Sequence, residues 1–205
     1  MITGLLLAGG RSRRMGQDKA LLPVPGAQEE TFIEHLLRLL APFCQELLLV
    51  TRDVSQAADY AKYMLPSVRT VTDKLPDTGP LMGLYSGLSA MTTSHAFVTA
   101  VDTPFLQPEL LAFLLSQPLT DRPVIPVVEE RPQVLTAIYP RSILPVIEQR
   151  LLEGRRDPRS LLDHCAVQFV TMAQLRTYDP QLRSFLNLNT PEELADQQEK
   201  RAGKG

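Results

Sequence analysis

Short apolar runs that stop at turn residues, separated by segments of helical period, constrain this chain more than any other feature. Residues 2–8 are mostly apolar and end at Gly9-Gly10, as a strand does when it meets a turn. Residues 46–51, 68–71 and 95–101 repeat the pattern. Between them, residues 32–40 place apolar side chains four apart at 32/36, 33/37 and 36/40, the spacing of a helix packed on a core. Residues 55–64 and 82–91 also read as helices. Gly79, Gly83 and Gly87 recur every four residues, a bare stripe that lets a helix lie close to a sheet. Alternating strands and helices imply an α/β fold: a mostly parallel sheet with helices on both faces.

The second half is less regular. Leu106-Gln107-Pro108-Glu109 opens a helix. Residues 122–128 and 134–139 read as strands joined by Glu129-Glu130-Arg131-Pro132. Residues 142–152 are helical, 160–164 form a short helix and 167–170 a strand. Thr190-Pro191-Glu192-Glu193 reads as a capping box that starts a last helix running to about residue 200. No long linker or repeat divides the 205 residues, so one domain over 1–205 is expected. Residues 1–105 would make one half of it and 106–200 the other, which would cover one side of the site.

Composition narrows the functional classes. Apolar residues are 44% and charged residues 21%, with 21 basic against 23 acidic side chains. That is ordinary for a globular protein and unlike one that coats nucleic acid or an anionic membrane. Residues 78–101 carry no Asp, Glu, Lys or Arg. They could span a bilayer by length, but they hold three glycines, a proline, a histidine and many hydroxyls. They read instead as a buried helix followed by a buried strand. Cys44 and Cys165 are far apart and no Cys/His cluster exists, so no zinc site is expected. The start lacks a basic signal region, and a reduced, cytoplasmic protein is expected.

The chemistry concentrates after the first strand, in Leu-Ala-Gly-Gly-Arg-Ser-Arg-Arg-Met-Gly-Gln-Asp-Lys at residues 7–19. Glycines let backbone N–H groups approach a ligand. Arg11, Arg13, Arg14 and Lys19 are offset only by Asp18. A cationic glycine loop at the carboxyl end of a first strand suits an oligophosphate. It is neither a Walker loop nor a dinucleotide turn. Asp102 ends the strand 95–101, and Asp73 follows the strand 68–71. A carboxylate at the end of a buried strand is costly unless a cation meets it. With the phosphate loop present, Asp102 reads as a Mg²⁺ ligand. Asp73, taken alone, reads as structural, and so do Gly79 and Gly83. His35, His95 and His164 are scattered and read as structural. Arg150, Arg155, Arg156 and Arg159 alternate with acids; they read as a solvated face that could also hold a second anion.

The pattern Leu-Ala-Gly-Gly-x-Ser-x-Arg-Met-Gly-x-Asp-Lys-Ala-Leu-Leu resembles the signature loop of the molybdenum cofactor guanylyltransferases. Asp73 with Gly79-Pro80-Leu81-x-Gly83, Asp102-Thr103-Pro104-Phe105, and Phe185-x-Asn187-x-Asn189-Thr190-Pro191-Glu192-Glu193-Leu194 follow in the same order. The resemblance implies a Rossmann-like, three-layer sheet of the nucleotide-diphospho-sugar transferase type. It also implies transfer of GMP from GTP to a molybdopterin-type cofactor, with release of pyrophosphate. Leu7, Ala8, Gly9 and Gly10 would contact the nucleotide, Lys19 and Arg14 the phosphates, and Asp102 the Mg²⁺. Asp73 and Gly79 would sit by the nucleotide; Asn187 and Asn189 would face the pterin, with Arg156 near its phosphate. Cofactor-insertion proteins or molybdoenzymes would be partners. The chain departs from the family at Thr51 (often Asn), Val101 (often a small residue or Cys) and Arg131-Pro132-Gln133 (often a His-Pro pair). A sister enzyme using CTP or another NTP, and a non-catalytic nucleotide-binding adaptor, are the alternatives.

Overall fold

The computed structural model describes residues 2–10, 18–25 and 30–188, together with Glu193 and Asp196. Thr3–Leu7 forms β1, Glu46–Thr51 β2, Val68–Thr72 β3 and His95–Ala100 β4. These four pair in parallel in the order β3-β2-β1-β4. Val124–Val128 (β5), Arg131–Pro132 (β6) and Thr136–Pro140 (β7) extend the sheet as β4-β7-β5-β6, with antiparallel pairs, while Gln168–Val170 (β8) runs parallel to β5.

The sheet is buried on both faces because neighbouring strand residues feed two separate cores. Leu6, Leu47, Leu49 and Phe97 belong to one; Leu5, Leu7, Leu48, Val50 and Val98 belong to the other. Side chains alternate across a strand, so runs this apolar are stable only between two helical layers. On the first face lie α1 (Phe32–Leu40), α2 (Val54–Tyr60), α4 (Pro108–Leu115) and α6 (Met172–Arg176); on the second lie α3 (Pro80–Ala90) and α5 (Leu144–Leu152). The three-layer α/β expectation holds.

Local chemistry fixes the element ends. Thr31 and Glu34 form a reciprocal capping box on α1, which satisfies backbone donors that have no partner inside the helix. Pro80 opens α3 at its first turn, where its missing N–H costs nothing. Gly87 meets the sheet so closely that a Cβ there would overlap the Leu5 side chain, in keeping with the bare stripe. The uncharged segment 78–101 is α3 followed by β4, and no helix among the described residues is long and apolar enough to cross a membrane.

Some expectations need correction. α2 ends at Tyr60 and passes into a 3-10 turn at Ala61–Tyr63. The strand expected over 134–139 begins at Thr136, because residues 133–136 first close a turn through Thr136 N–H to the Gln133 carbonyl at 3.1 Å. Arg131–Pro132 is a short strand rather than a connection. The turn before it is made by Glu129 and Glu130, both at positive φ, as two-residue hairpins demand. The short helix expected at 160–164 is a 3-10 turn at Pro158–Leu161. α6 was not anticipated, although its capping box of Thr171 and Gln174 is present in the sequence. Thr190 and Pro191, at the start of the last expected helix, lie outside the described residues.

Candidate nucleotide-binding active site

The chain runs β1, β2, β3 outward along the sheet, then returns to place β4 on the other side of β1. Ligands of open α/β sheets bind beyond the carboxyl ends of the strands at such a reversal. The strand tips there are tied together. Ala8 N–H donates to the Val50 carbonyl at 2.8 Å, Val101 N–H to Leu7 at 3.0 Å, and Asp73 N–H to Thr51 at 2.8 Å. Leu7, Ala8, Gly9, Asp73 and Asp102 are thereby brought to one edge from three different strands.

Lys19 arrives from a 3-10 turn at Lys19–Leu21. Asp18 caps this turn, its side chain accepting from Ala20 N–H at 3.1 Å. Beneath the turn are two buried side chains of α2. Tyr60 Oη donates to Asp18 Oδ2 at 2.6 Å, and Gln56 Nε2 donates to the Ala8 carbonyl at 3.1 Å.

A cleft of about 230 Å³ opens at this edge, and Leu7, Ala8, Gly9, Gly10, Lys19, Asp73, Gly79 and Asp102 all line it. Eight of the twelve residues named from the sequence as site residues therefore converge. An adjoining cleft of about 300 Å³ shares Pro80, Ala100, Asp102 and Leu135 with the first, and Arg156 and Asn187 line it. Arg14 and Asn189 lie outside the described residues. Sequence reasoning passed over Asp77, Val50 and Leu135 in the first cleft and Thr103 in the second as lining groups. Asp18 also lines the first cleft, where the sequence suggested only an offsetting charge.

Electrostatics distinguish the two aspartates. Burial raises the Asp102 carboxyl above the ordinary Asp range, and the nearby Lys19 charge partly opposes that shift. Burial pushes Asp73 up to about 6 against the influence of the Ser86 hydroxyl. Asp73 Oδ1 is buried with no hydrogen-bond partner among the described residues. Asp73 thus combines a place on the cleft wall with a buried acceptor that carries a desolvation cost. Gly79 does pack, as expected, against Arg156, yet it also lines the cleft.

No group of three or more His, Cys, Asp or Glu side chains able to hold a metal exists among the described residues. A magnesium ion bound through one carboxylate, water and substrate phosphates needs no such group. Asp102 at the cleft wall, desolvated and within reach of the Lys19 charge, fits that use.

The other candidates separate clearly. His35 pairs with Glu30, His95 with the Thr120 carbonyl and Ser94, and His164 with Arg150; none of the three lines either cleft. The arginine cluster splits: Arg156 and Arg159 reach the second cleft, whereas Arg150 pairs with Glu153. Thr51 is fully buried, and its hydroxyl donates to the Asp53 carbonyl at 3.2 Å, away from the cleft lining. Val101, where the family often has a small residue or Cys, forms part of that lining. Pro132 and Gln133 line the second cleft.

Relatives match over nearly the full chain. A "Probable molybdenum cofactor guanylyltransferase" of Chloroflexus aggregans is 39% identical over 199 residues, covering 95% of this chain and 92% of the relative. One from Methanosarcina mazei is 36% identical, covering 94% and 88%. The crystal structure of molybdopterin-guanine dinucleotide biosynthesis protein A from Archaeoglobus fulgidus superposes with a TM-score of 0.83 at 28% identity, covering 98% of this chain and 100% of that one. The model of the MobA-like NTP transferase domain matches residues 4–169, a span that holds both strand-end aspartates and Lys19, and this chain belongs to that family.

Proposed function

We propose that the protein transfers GMP from GTP to the terminal phosphate of the molybdenum–molybdopterin cofactor, giving the guanine dinucleotide cofactor and pyrophosphate. The observation that carries this reading is the position of Asp102, which lines both clefts where they adjoin. One cleft, with its glycine backbone and Lys19, suits a nucleoside triphosphate. The other, with Arg156, Arg159 and Asn187, suits a second phosphorylated substrate. The names borne by the relatives point the same way.

The chemistry asks little covalent work of the protein. A terminal phosphate oxygen of the cofactor attacks the α-phosphorus of GTP, a new P–O bond forms, and the bond to the β-phosphate oxygen breaks to release pyrophosphate. Positioning and cations around the transferring group supply the catalysis. Lys19 neutralises phosphate charge that builds on the leaving group. The Gly9-Gly10 backbone leaves room for the nucleotide to approach. Asp73 faces the nucleotide from the wall of the first cleft, and Arg156 holds the cofactor phosphate. Asp102 would hold Mg²⁺, which when bound supplies charge stabilisation to the phosphoryl oxygens. We place the enzyme in the cytoplasm, handing its product to cofactor-insertion proteins or molybdoenzymes.

The test is pyrophosphate release by the purified protein with Mg²⁺, the molybdopterin-type cofactor and each of GTP, CTP, ATP and UTP. Release is expected with GTP and only when the cofactor is present. Faster release with CTP, or GTP binding with no turnover, would refute the assignment.

A further inference from the structure

Two buried polar side chains of α2, Gln56 and Tyr60, line neither cleft, yet every hydrogen bond they make that bears on the site holds something that does. Tyr60 is fully buried and Gln56 almost so. Gln56 Nε2 donates to the Ala8 carbonyl at 3.1 Å and to Tyr60 Oη at 2.8 Å, and it lies 3.5 Å from Asp18 Oδ2. Gln56 Oε1 accepts from Arg52 N–H at 2.8 Å. Tyr60 Oη donates its own hydrogen bond to Asp18 Oδ2 at 2.6 Å. Three chain segments are thus clipped together: the end of β1, the end of β2 and the turn that carries Lys19. Buried networks of this kind hold one geometry when every member is satisfied.

The network also has an electrostatic consequence. Asp18 is an acidic group on the wall of the cleft that we assign to a triphosphate, where a negative charge opposes binding. Its Oδ1 is engaged by Ala20 N–H and its Oδ2 by the Tyr60 hydroxyl. Burial and the Asp18 charge hold the Tyr60 phenol above its ordinary range, so it remains a donor.

We propose that Tyr60 and Gln56 are positioning residues for nucleotide binding: they set the Lys19 turn against the β1 tip and keep the Asp18 carboxylate bonded on the α2 side, away from the phosphates. The proposal rests on the assignment of the cleft to GTP. Neither residue touches substrate; both act through Asp18 and the Ala8 carbonyl.

The test is Tyr60→Phe, which keeps the ring and removes only the donor, measured for GTP affinity by calorimetry with Mg²⁺ and for steady-state kinetics. A hydrogen bond to a charged group is lost, so the dissociation constant and KM for GTP should rise about tenfold. KM for the molybdopterin-type cofactor should stay unchanged. In an Asp18→Asn background the same substitution should have little further effect, since the charge it screens is gone. Gln56→Met, which keeps the length of the side chain, should raise KM for GTP in the same direction and guards against a folding defect in the first variant. Parent-like GTP affinity in both variants would overturn the proposal, as would an equal Tyr60→Phe penalty with and without the Asp18 charge, or an equal rise in KM for both substrates. Failure of the parent to bind GTP would overturn the assignment of the cleft itself, and the proposal with it.

Discussion

Gly79 lies directly against Arg156: a Cβ on Gly79 would sit 3.0 Å from the Arg156 Cβ and 3.1 Å from its carbonyl oxygen. That same carbonyl accepts from Leu81 N–H at 2.9 Å. The start of α3, which lines the first cleft, is thereby seated on the segment that lines the second. Gly79 has φ +93°, a backbone state that costs other residues about 1–3 kcal/mol. Gly79→Ala should therefore lower stability by about that much and raise KM for both substrates, because both clefts share this junction. Thermal unfolding and two-substrate kinetics check it, and a parent-like melting temperature would argue against the close seat.

Asp73 makes a signed prediction for pH. Its carboxyl has an ordinary value of 3.8 and is raised by burial to about 6. The folded state therefore holds the proton more tightly than the unfolded chain does. That contribution to stability is complete below pH 3.8, fades across the window between the two values and is gone above about 6. Asp73→Asn cannot ionise, so without ligand it should gain stability relative to the parent as pH rises through this window. Denaturant unfolding at several pH values reads the difference. A margin that ignores pH would show that the folded carboxyl is not perturbed.

Removing the amine of Lys19 takes away the charge that faces both Asp102 and the phosphate side of the cleft. Lys19→Ala should raise KM for GTP and depress kcat/KM by about 10- to 100-fold, the worth of one charge-assisted contact. Folding should be little altered. Steady-state kinetics with varied GTP measure this, and unchanged constants would remove Lys19 from the site.

Among the described residues, a Cβ on Gly10 would meet nothing within 4 Å, and its φ is not in the left-handed region. Gly10→Ala thus meets no clash with the described residues, and a change in nucleotide preference would report on contact with the ligand. A methyl in this turn should obstruct a purine more than a pyrimidine, shifting the GTP-over-CTP ratio of kcat/KM downward by an amount equivalent to about 1–3 kcal/mol. Measured ratios for variant and parent decide it. An unchanged ratio would place base selection elsewhere in the cleft.

The sequence made the parallel half of the fold legible because β1, β2 and β4 are apolar on both faces and each ends at a turn signal. It misread residues 134–135 because Val134 and Leu135 prolong an apolar run through a turn that only the Gln133–Thr136 hydrogen bond reveals. It passed over α6, five residues long, since so short a helix has almost no periodicity to detect. In the site, glycine and charge marked the β1 loop, and strand ends marked Asp73 and Asp102. Gln56 and Tyr60 carried no such mark. Their partner Asp18 lies 42 residues before Tyr60, and nothing local in α2 distinguishes a buried anchor from an ordinary core tyrosine. The adjoining clefts likewise arise from the return of the chain to β7, which no local pattern encodes.

On the proposed function, two phosphorylated substrates meet at Asp102 and react there. The most direct measurement is the rate of Mg²⁺-dependent pyrophosphate release when GTP and the molybdopterin-type cofactor are mixed with Asp102→Asn and with the parent protein. The amide keeps nearly the same shape and removes the charge. The account predicts a folded variant, shown by a parent-like circular dichroism spectrum and melting curve, whose release falls to the level seen without magnesium. A variant that retains the parent's rate and its magnesium dependence would contradict it.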